Sequence, residues 1–351
     1  MEIRWLEPCD AGKAKALWER VFAEDAGRYA DWYFERVFRP ERCMGAFEGQ
    51  ELLSMASVGG YTLCIAGERF ASNFLQGVAT APEARGKGCA GSIVRRLLRH
   101  FYSAGLEISA LKTFIPEFYR PFGYETYSWR QEHTVTSRAG ETGRIVTRME
   151  EVDDALISEL NRRYCKFFEN RSGYVLRDAP YWRRLLEEYI YACEGALVLP
   201  GSGYAIAAKV EEALVAAECV CQSEEELASF AGAAHRMRAR SFVYGSLDGG
   251  RSDGMLRIVN VKRFLQRLKL GAGRCVISLK DELFPENTGT WRIESDGAAN
   301  RVELVDALAD WECSVGELAL LSMTGQGGER ECSQCLREVF PSRETGIFEQ
   351  Y

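Results

Sequence analysis

The stretch Asn73–Phe101, NFLQGVATAPEARGKGCAGSIVRRLLRHF, decides how the rest of the chain is read. It opens on an apolar run, Phe74 to Thr80, long enough for a strand. Pro82 ends that run, because proline has no N–H to give to a ladder. Arg85-Gly86-Lys87-Gly88-Cys89-Ala90 follows as a glycine-bearing turn that feeds a helix. Ala90, Ile93, Val94, Leu97, Leu98 and Phe101 fall on one apolar stripe at helical spacing, and Gly105 is a stop signal.

A strand, a glycine turn and a helix N-terminus in that order make an anion site. The first-turn N–H groups of a helix have no partners within it, and the macrodipole puts partial positive charge there. Glycines let the backbone approach the anion, and Arg85 and Lys87 add full charges. The spacing is neither that of a Walker loop nor Gly-x-Gly-x-x-Gly. On spacing alone, a plain basic turn between a strand and an amphipathic helix stays open as the alternative.

Arg85, Gly88 and Ala90, after a strand ending Val78-Ala79-Thr80, resemble the Arg/Gln-x-x-Gly-x-Gly/Ala signature of the GCN5-related N-acetyltransferases (GNAT). Glu117-Phe118-Tyr119-Arg120-Pro121-Phe122-Gly123-Tyr124-Glu125 is similar to that family's "FYxxxGF/Y" segment. The resemblance implies the acyl-CoA N-acyltransferase fold, of mixed α+β and α/β class, with acetyl-CoA as cosubstrate. It places the pyrophosphate on the turn from Arg85 through Gly86, Lys87, Gly88, Cys89 and Ala90 to Gly91. It places the thioester against Val78, Ala79 and Thr80.

At 351 residues the chain is too long for one such domain, so two or three are expected. A hydrophobic content of 46% and a charged content of 27% are those of a soluble globular protein. The net charge of −7 argues against general nucleic-acid or anionic-membrane binding and mildly favours a cationic substrate, although solubility alone accounts for it. Glu2, Arg4 and Glu7 rule out a signal peptide in the first ten positions, and no apolar run reaches membrane-spanning length. A cytoplasmic protein is expected. The 12 cysteines are scattered, and Cys332-x-x-Cys335 has no second pair or nearby histidine to complete a zinc set. His100, His133 and His235 lie far apart in sequence, so no metal is expected, and the thiols read as reduced.

Three units are expected, at 1–140, 141–252 and 253–351. In the first, Asp10 to Phe22 and the aromatic-rich Tyr29 to Phe38 read as helices. The second helix's aromatics belong either to the acceptor mouth, as the resemblance implies, or to the core. Cys43 to Phe47, Glu51 to Val58 and Tyr61 to Ala66 read as strands divided by Gly49 and Gly59-Gly60. Leu106 to Thr113 is a further strand, Pro116 opens a short helix carrying Tyr119, and the chain returns to strand from Tyr124 to about Val135. The polar stretch Thr136 to Gly143 is the first boundary. The second unit reads as a degenerate copy of the same fold. Its Arg251-x-x-Gly254 lacks a following Gly or Ala and is expected to be linker, so this copy is expected to bind no coenzyme. In the third unit Trp311 to Leu321 reads as a helix. The opening Met255-Leu-Arg-Ile-Val259 and the turn Asp281-x-x-x-Pro285-x-Asn287-x-Gly289 resemble the sterol-carrier-protein-like domain that ends the enhanced intracellular survival (Eis) acetyltransferases.

The three units in this order resemble the Eis family over nearly the whole chain. That resemblance implies direct attack of an amine on the acetyl thioester, with Tyr119 as general acid and Tyr124 as the fallback. It assigns the general base to the terminal carboxylate of Tyr351, with a merely structural tail or a water relay as the alternatives, and the Ile347, Phe348 and Tyr351 of the tail fit a docked end rather than a frayed one. Phe114 and Ile115 stand where Eis proteins often show Ser and Glu, and are placed with the pantetheine contacts. Acceptors would be amines of cationic small molecules such as aminoglycosides, or lysine side chains. A closed homo-oligomer such as a hexamer is implied. The other reading is an apolar-ligand-binding protein of sterol-carrier type with a vestigial acetyltransferase site.

Overall fold

The computed structural model describes residues 1–327 and 333–349. The apolar run of the deciding stretch is the second half of a strand, Glu68–Thr80, in the interior of a 12-stranded sheet. The sheet runs Glu2–Trp5, Cys43–Glu48, Glu51–Ile65, Glu68–Thr80, Ile108–Lys112, Ser241–Ile258, Ala213–Val220, Tyr204–Val210, Ala196–Leu199, Arg144–Val146. Glu68–Thr80 and Ile108–Lys112 are parallel, so a crossover must join them, and the helix Cys89–Ser103 supplies it. Beyond the half-buried Ala90 its stripe is packed: Ile93, Val94, Leu97, Leu98 and Phe101 are each at most 1% exposed. They share one core with Trp18, Phe47, Leu75 and Met255.

The strand Ser241–Ile258 is the seam of the molecule. Glu125–Thr136 lies antiparallel along nearly all of one edge. The opposite edge is shared, with Ala213–Val220 parallel to its start and Ile108–Lys112 antiparallel to its end. The seam therefore crosses position 252, and Arg251–Gly254, expected to be linker, is strand. Gly249 and Gly250 have φ of +127° and +91° and open a bulge there, which hid the strand's continuity from the sequence pattern.

Two further expectations change. Gly59-Gly60 does not divide two strands, because both glycines stay paired, with Phe74 and Asn73, inside the single strand Glu51–Ile65. Trp311–Ser314 is a strand, and helix begins only at Val315, where Ser314 and Glu317 form a reciprocal capping box.

The second part repeats the order strand, strand, strand, helix, strand: Ala196–Leu199, Tyr204–Val210, Ala213–Val220, the helix Glu224–Arg236, then the start of the seam. A separate four-stranded sheet follows, Asn300–Leu304, Gly289–Ser295, Gly273–Lys280, Trp311–Ser314, with the helices Val261–Arg267, Val315–Thr324 and Gln334–Val339. Its core is continuous with the large sheet, since Phe70, Phe74, Ile108 and Tyr127 belong to the same cluster as Phe264, Trp291 and Leu318. Among the described residues no helix is long and apolar enough to cross a membrane.

Candidate active site

The parallel ladder between Glu68–Thr80 and Ile108–Lys112 stops at Leu75 and Leu111. Beyond it the two strands have no register with one another, so the sheet opens into a V. On the other edge, Gln76 pairs with Ser57 and Ala79 with Met55, so Gly77 and Val78 together oppose Ala56. This is a β-bulge, which turns backbone amides out of the ladder. Gly77 has φ +57°, and a Cβ there would lie 2.5 Å from the Trp18 ring, so only glycine fits. Thr80 Oγ1 is 2.8 Å from Ser54 Oγ, which in turn donates to the Ala79 carbonyl at 2.9 Å. At the far side of the V, Lys112 Nζ meets Asp253 at 3.1 Å with both side chains buried, and burial pulls the lysine pKa down.

The glycine turn follows directly. Gly88, at φ +77°, is the N-cap of the helix Cys89–Ser103, and no side chain caps it. The first-turn amides of Cys89, Ala90 and Gly91 therefore stay open. Arg85, Gly86, Lys87 and Gly88 are exposed around them. The second motif packs on this turn: a Cβ at Gly91 would lie 3.3 Å from Phe122, and Arg95 lies over the Phe122 ring at 5.0 Å. The corresponding helix of the second part, Glu224–Arg236, is capped by Ser223 and opens with Glu224, Glu225 and Glu226. The Glu226 carboxylate accepts from the amides of Ser202, Gly203 and Gln222 at 2.7–2.8 Å. That helix presents negative charge where the first presents open N–H groups.

The tyrosines of the second motif differ in what they hold. Tyr124 is 1% exposed, and its hydroxyl lies 2.7 Å from Ser109 Oγ. Ser109 gives its own proton to the Asn73 carbonyl at 2.7 Å, so Tyr124 is the donor of the pair. Tyr119, in the helical turn Pro116–Tyr119, is 6% exposed, and its hydroxyl has no partner among the described residues. Burial pushes its pKa up to about 12. Phe114 and Ile115, 71% and 60% exposed, lie in the loop between Lys112 and this turn, and Arg251 covers the Phe114 ring at 4.8 Å.

Residues 2–127 match the family described as Acetyltransferase (GNAT) domain, and residues 261–329 match the Sterol carrier protein domain. The chain is a GNAT-fold acetyltransferase. Solved structures share its fold from end to end. A probable N-acyltransferase of unknown function from Enterococcus faecalis has a TM-score of 0.77 at 17% identity, covering 100% of this chain and 99% of that one. A GCN5-related N-acetyltransferase from Anabaena variabilis has a TM-score of 0.77 at 16% identity, covering 100% of both. Eis1 from Mycobacterium abscessus has a TM-score of 0.70 at 19% identity, again covering 100% of both. No curated protein sequence matches the chain.

In this acetyltransferase a narrow slot opens beside the bulge. Tyr29, Trp32, Tyr33, Tyr61 and Gln76 wall it from the first unit, and Tyr181, Arg184, Leu185 and Glu188 from the second. It continues toward Arg39 and Arg42, and the two adjoining clefts hold about 100 and 30 Å³. Trp32 and Tyr33 are 4% and 5% exposed, so the aromatic helix serves core and slot together. Glu188 is half-buried and accepts from the Tyr29 hydroxyl at 3.3 Å. Burial pushes its carboxyl up to about 7, against the opposing pull of Tyr29 and Arg184. The sequence carries no signal for Glu188 as a site residue, because it lies within no motif.

The tail runs inward. Glu344–Thr345 pairs with Arg171–Ser172, Ile347 is 0% exposed, and Phe348 packs against Phe167 and Phe168 at 5.3 and 5.2 Å. Glu349 meets the buried Arg177 at 2.9 Å and accepts from the Tyr181 hydroxyl at 3.1 Å. Arg177 also forms a two-pronged pair with Glu218, at 2.9 and 2.7 Å. Tyr351 lies outside the described residues, as does Cys332. A cavity of about 800 Å³ lies elsewhere, between Arg120–Glu125 and the four-stranded sheet. Arg120, Glu125, Lys280, Asp281, Glu312 and Glu317 on its walls suit polar contents better than an apolar ligand.

Proposed function

We propose that the chain moves an acetyl group from acetyl-CoA to a primary amine, either of a cationic small molecule or of a lysine side chain, by direct attack. One observation carries this reading: the bulged strand, the open V and the uncapped helix turn lie in one continuous stretch, Gln76 to Gly91. The open amides of Cys89, Ala90 and Gly91, with Arg85 and Lys87 beside them, suit a pyrophosphate. No atom lies within 4 Å of a Cβ placed at Gly86 or Gly88, which leaves the cradle clear. Amides along Val78 to Thr80, on the edge left unpaired beyond Leu75, would polarise the thioester carbonyl and hold the oxyanion. Phe114 and Ile115 would flank the pantetheine arm.

Tyr119 would donate to the leaving sulfur. At a pKa of about 12 it is fully protonated at neutral pH, so the donor is always present. A thiol titrates near 8.5, so the phenol serves by a preformed hydrogen bond that strengthens as the C–S bond breaks. Nitrogen must shed two protons, one from the ammonium before attack and one afterwards. The carboxylate of Tyr351 is the general base of this proposal. In the same proposal residues 1–140 are the catalytic unit, 141–252 a GNAT-like unit without coenzyme, and 253–351 the sterol-carrier-like unit.

The test is thiol release from acetyl-CoA across a panel of amines, paired with thermal melting in acetyl-CoA and in a fatty acid. Amine-dependent release and an upward shift with acetyl-CoA are expected. A shift with the fatty acid alone, and no thiol release with any amine, would overturn the reading in favour of a binding protein.

A further inference from the structure

We infer that Glu188 takes the first proton from the acceptor's ammonium, and that the acceptor is a primary amine at the end of an unbranched chain whose other end is neutral or anionic. This rests on the acyl-transfer reading above and names the acceptor class and the residue that meets it.

The placement is the first argument. Gln76, on the slot wall, precedes the bulge by a single position, and Glu188 lines the same slot from the opposite unit. Gln76 is an amide and cannot take a proton at neutral pH. Among the described residues lining the two clefts, Glu188 is the one carboxylate. It belongs to a π-helical turn, Glu187–Ala192, and the aromatic wall facing it contains another, Tyr33–Val37. Such turns recur at functional sites because the extra residue re-aims side chains.

The surroundings are the second. Tyr29 donates to Glu188, Arg184 attracts its charged form, and Asp25 opposes it. Tyr189 and Cys193 also face it from its own segment. Rings of Tyr29, Trp32, Tyr33, Tyr61 and Tyr181 accept a cation on their faces as it enters. Inside such walls a charged pair is poorly solvated, so the proton moves to the carboxylate and leaves a neutral amine. A carboxyl poised at about 7 is matched to that task.

Size and charge define the acceptor. Clefts of about 100 and 30 Å³ fall well below the roughly 300–1,000 Å³ of pockets that enclose multi-ring ligands. A methylene chain fits, and an aminocyclitol does not. Arg39, Arg42 and Arg184 stand on the walls, and Arg39 is held by the carbonyls of Phe38 and Arg36. Three guanidiniums repel a polycation and tolerate a neutral or anionic tail.

The protons balance. The ammonium gives one to Glu188, which passes it to solvent, and the freed lone pair forms the C–N bond. The C–S bond breaks, the sulfur takes a proton through Tyr119, and the second nitrogen proton restores the phenol by way of the terminal base. Net, one proton is released per amide formed.

The experiment measures kcat/KM against pH with Nα-acetyl-lysine and with kanamycin, for the wild type, Glu188→Gln and Tyr29→Phe, with acetyl-CoA affinity by titration calorimetry. The wild type should prefer Nα-acetyl-lysine, and its kcat/KM should rise through pH 7. Glu188→Gln should bind acetyl-CoA within about twofold of wild type and lose roughly 10²-fold or more at pH 7. It should recover as the pH nears the amine's own pKa of about 10. Tyr29→Phe keeps the carboxylate but removes its hydrogen bond, so the rise should move to higher pH. An unchanged pH profile in Glu188→Gln, or a wild-type preference for kanamycin, overturns the inference while leaving acyl transfer standing. A wild type that binds no acetyl-CoA overturns acyl transfer itself.

Discussion

Two phenols stand 5.9 Å apart, ring to ring, and their partners divide the work between them. Tyr124 spends its proton on Ser109, which is itself committed to a backbone carbonyl, so that chain is structural. Tyr119 is buried with its donor unspent among the described residues. Tyr119→Phe should therefore lower kcat by roughly 10²–10⁴ while acetyl-CoA affinity holds. Tyr124→Phe should leave kcat within a few-fold and lower stability by about 1 kcal/mol, the net worth of one hydrogen bond. Steady-state kinetics and urea unfolding on the two variants separate these outcomes, and a reversed ranking would make Tyr124 the acid. The pH dependence has a definite sign. Tyr119's pKa is raised from 10.0 to about 12, so its contribution to stability is complete below pH 10 and is lost as the pH climbs toward 12. Activity should show no loss from phenol ionisation below about pH 10.

At the scale of elements, the site is one interrupted strand and one uncapped helix. The interruption needs Gly77, whose φ of +57° and closeness to Trp18 leave no room for a side chain. Gly77→Ala should cost about 1–3 kcal/mol through strain, and should lower kcat as well by shifting the bulge amides. Thermal melting with parallel kinetics checks both; a wild-type Tm would mean that the bulge relaxes freely. The helix end should behave differently, because the Arg85 side chain is exposed and unpartnered among the described residues. Arg85→Ala should weaken acetyl-CoA binding by about 1.5–3 kcal/mol, the range for a hydrogen bond to a charged group, with no change in Tm. Calorimetry showing unchanged affinity would remove the turn from the coenzyme site.

The whole molecule is tied together away from the glycine turn and the tyrosine segment. Arg177, from the second unit, is 8% exposed and holds Glu218 of the sheet and Glu349 of the tail at once. It lies over Tyr164 and Trp182 at 4.1 and 4.6 Å, which gives the guanidinium a second source of stabilisation. Arg177→Met should destabilise by about 3–5 kcal/mol, because two buried carboxylates lose their counter-charge. The tail should detach with it, read out by faster proteolysis after residue 340. A variant with wild-type unfolding midpoint would show that the tail docks through Ile347 and Phe348 alone.

Much of the first unit was legible from the sequence because its signals are local. The helix stripe from Ala90 to Phe101, the glycine turn and the Pro116 turn each lie within a short window, where side-chain spacing and backbone preference act directly. What the tertiary structure alone decided depends on groups distant in sequence. The bulge at Gly77 exists only relative to the register of Glu51–Ile65, and the V only where Leu111 parts from Leu75. The seam Ser241–Ile258 has too many glycines and charges to read as one strand, yet three partners hold it so. Glu188 shares a slot with Gln76 because elements of the two units line it together, and its carboxyl differs from an ordinary one chiefly through burial there. Spacing along a chain encodes the faces of helices and strands. Which faces meet is set by the apolar surface they bury together, and the slot between Gln76 and Glu188 lies at such a meeting.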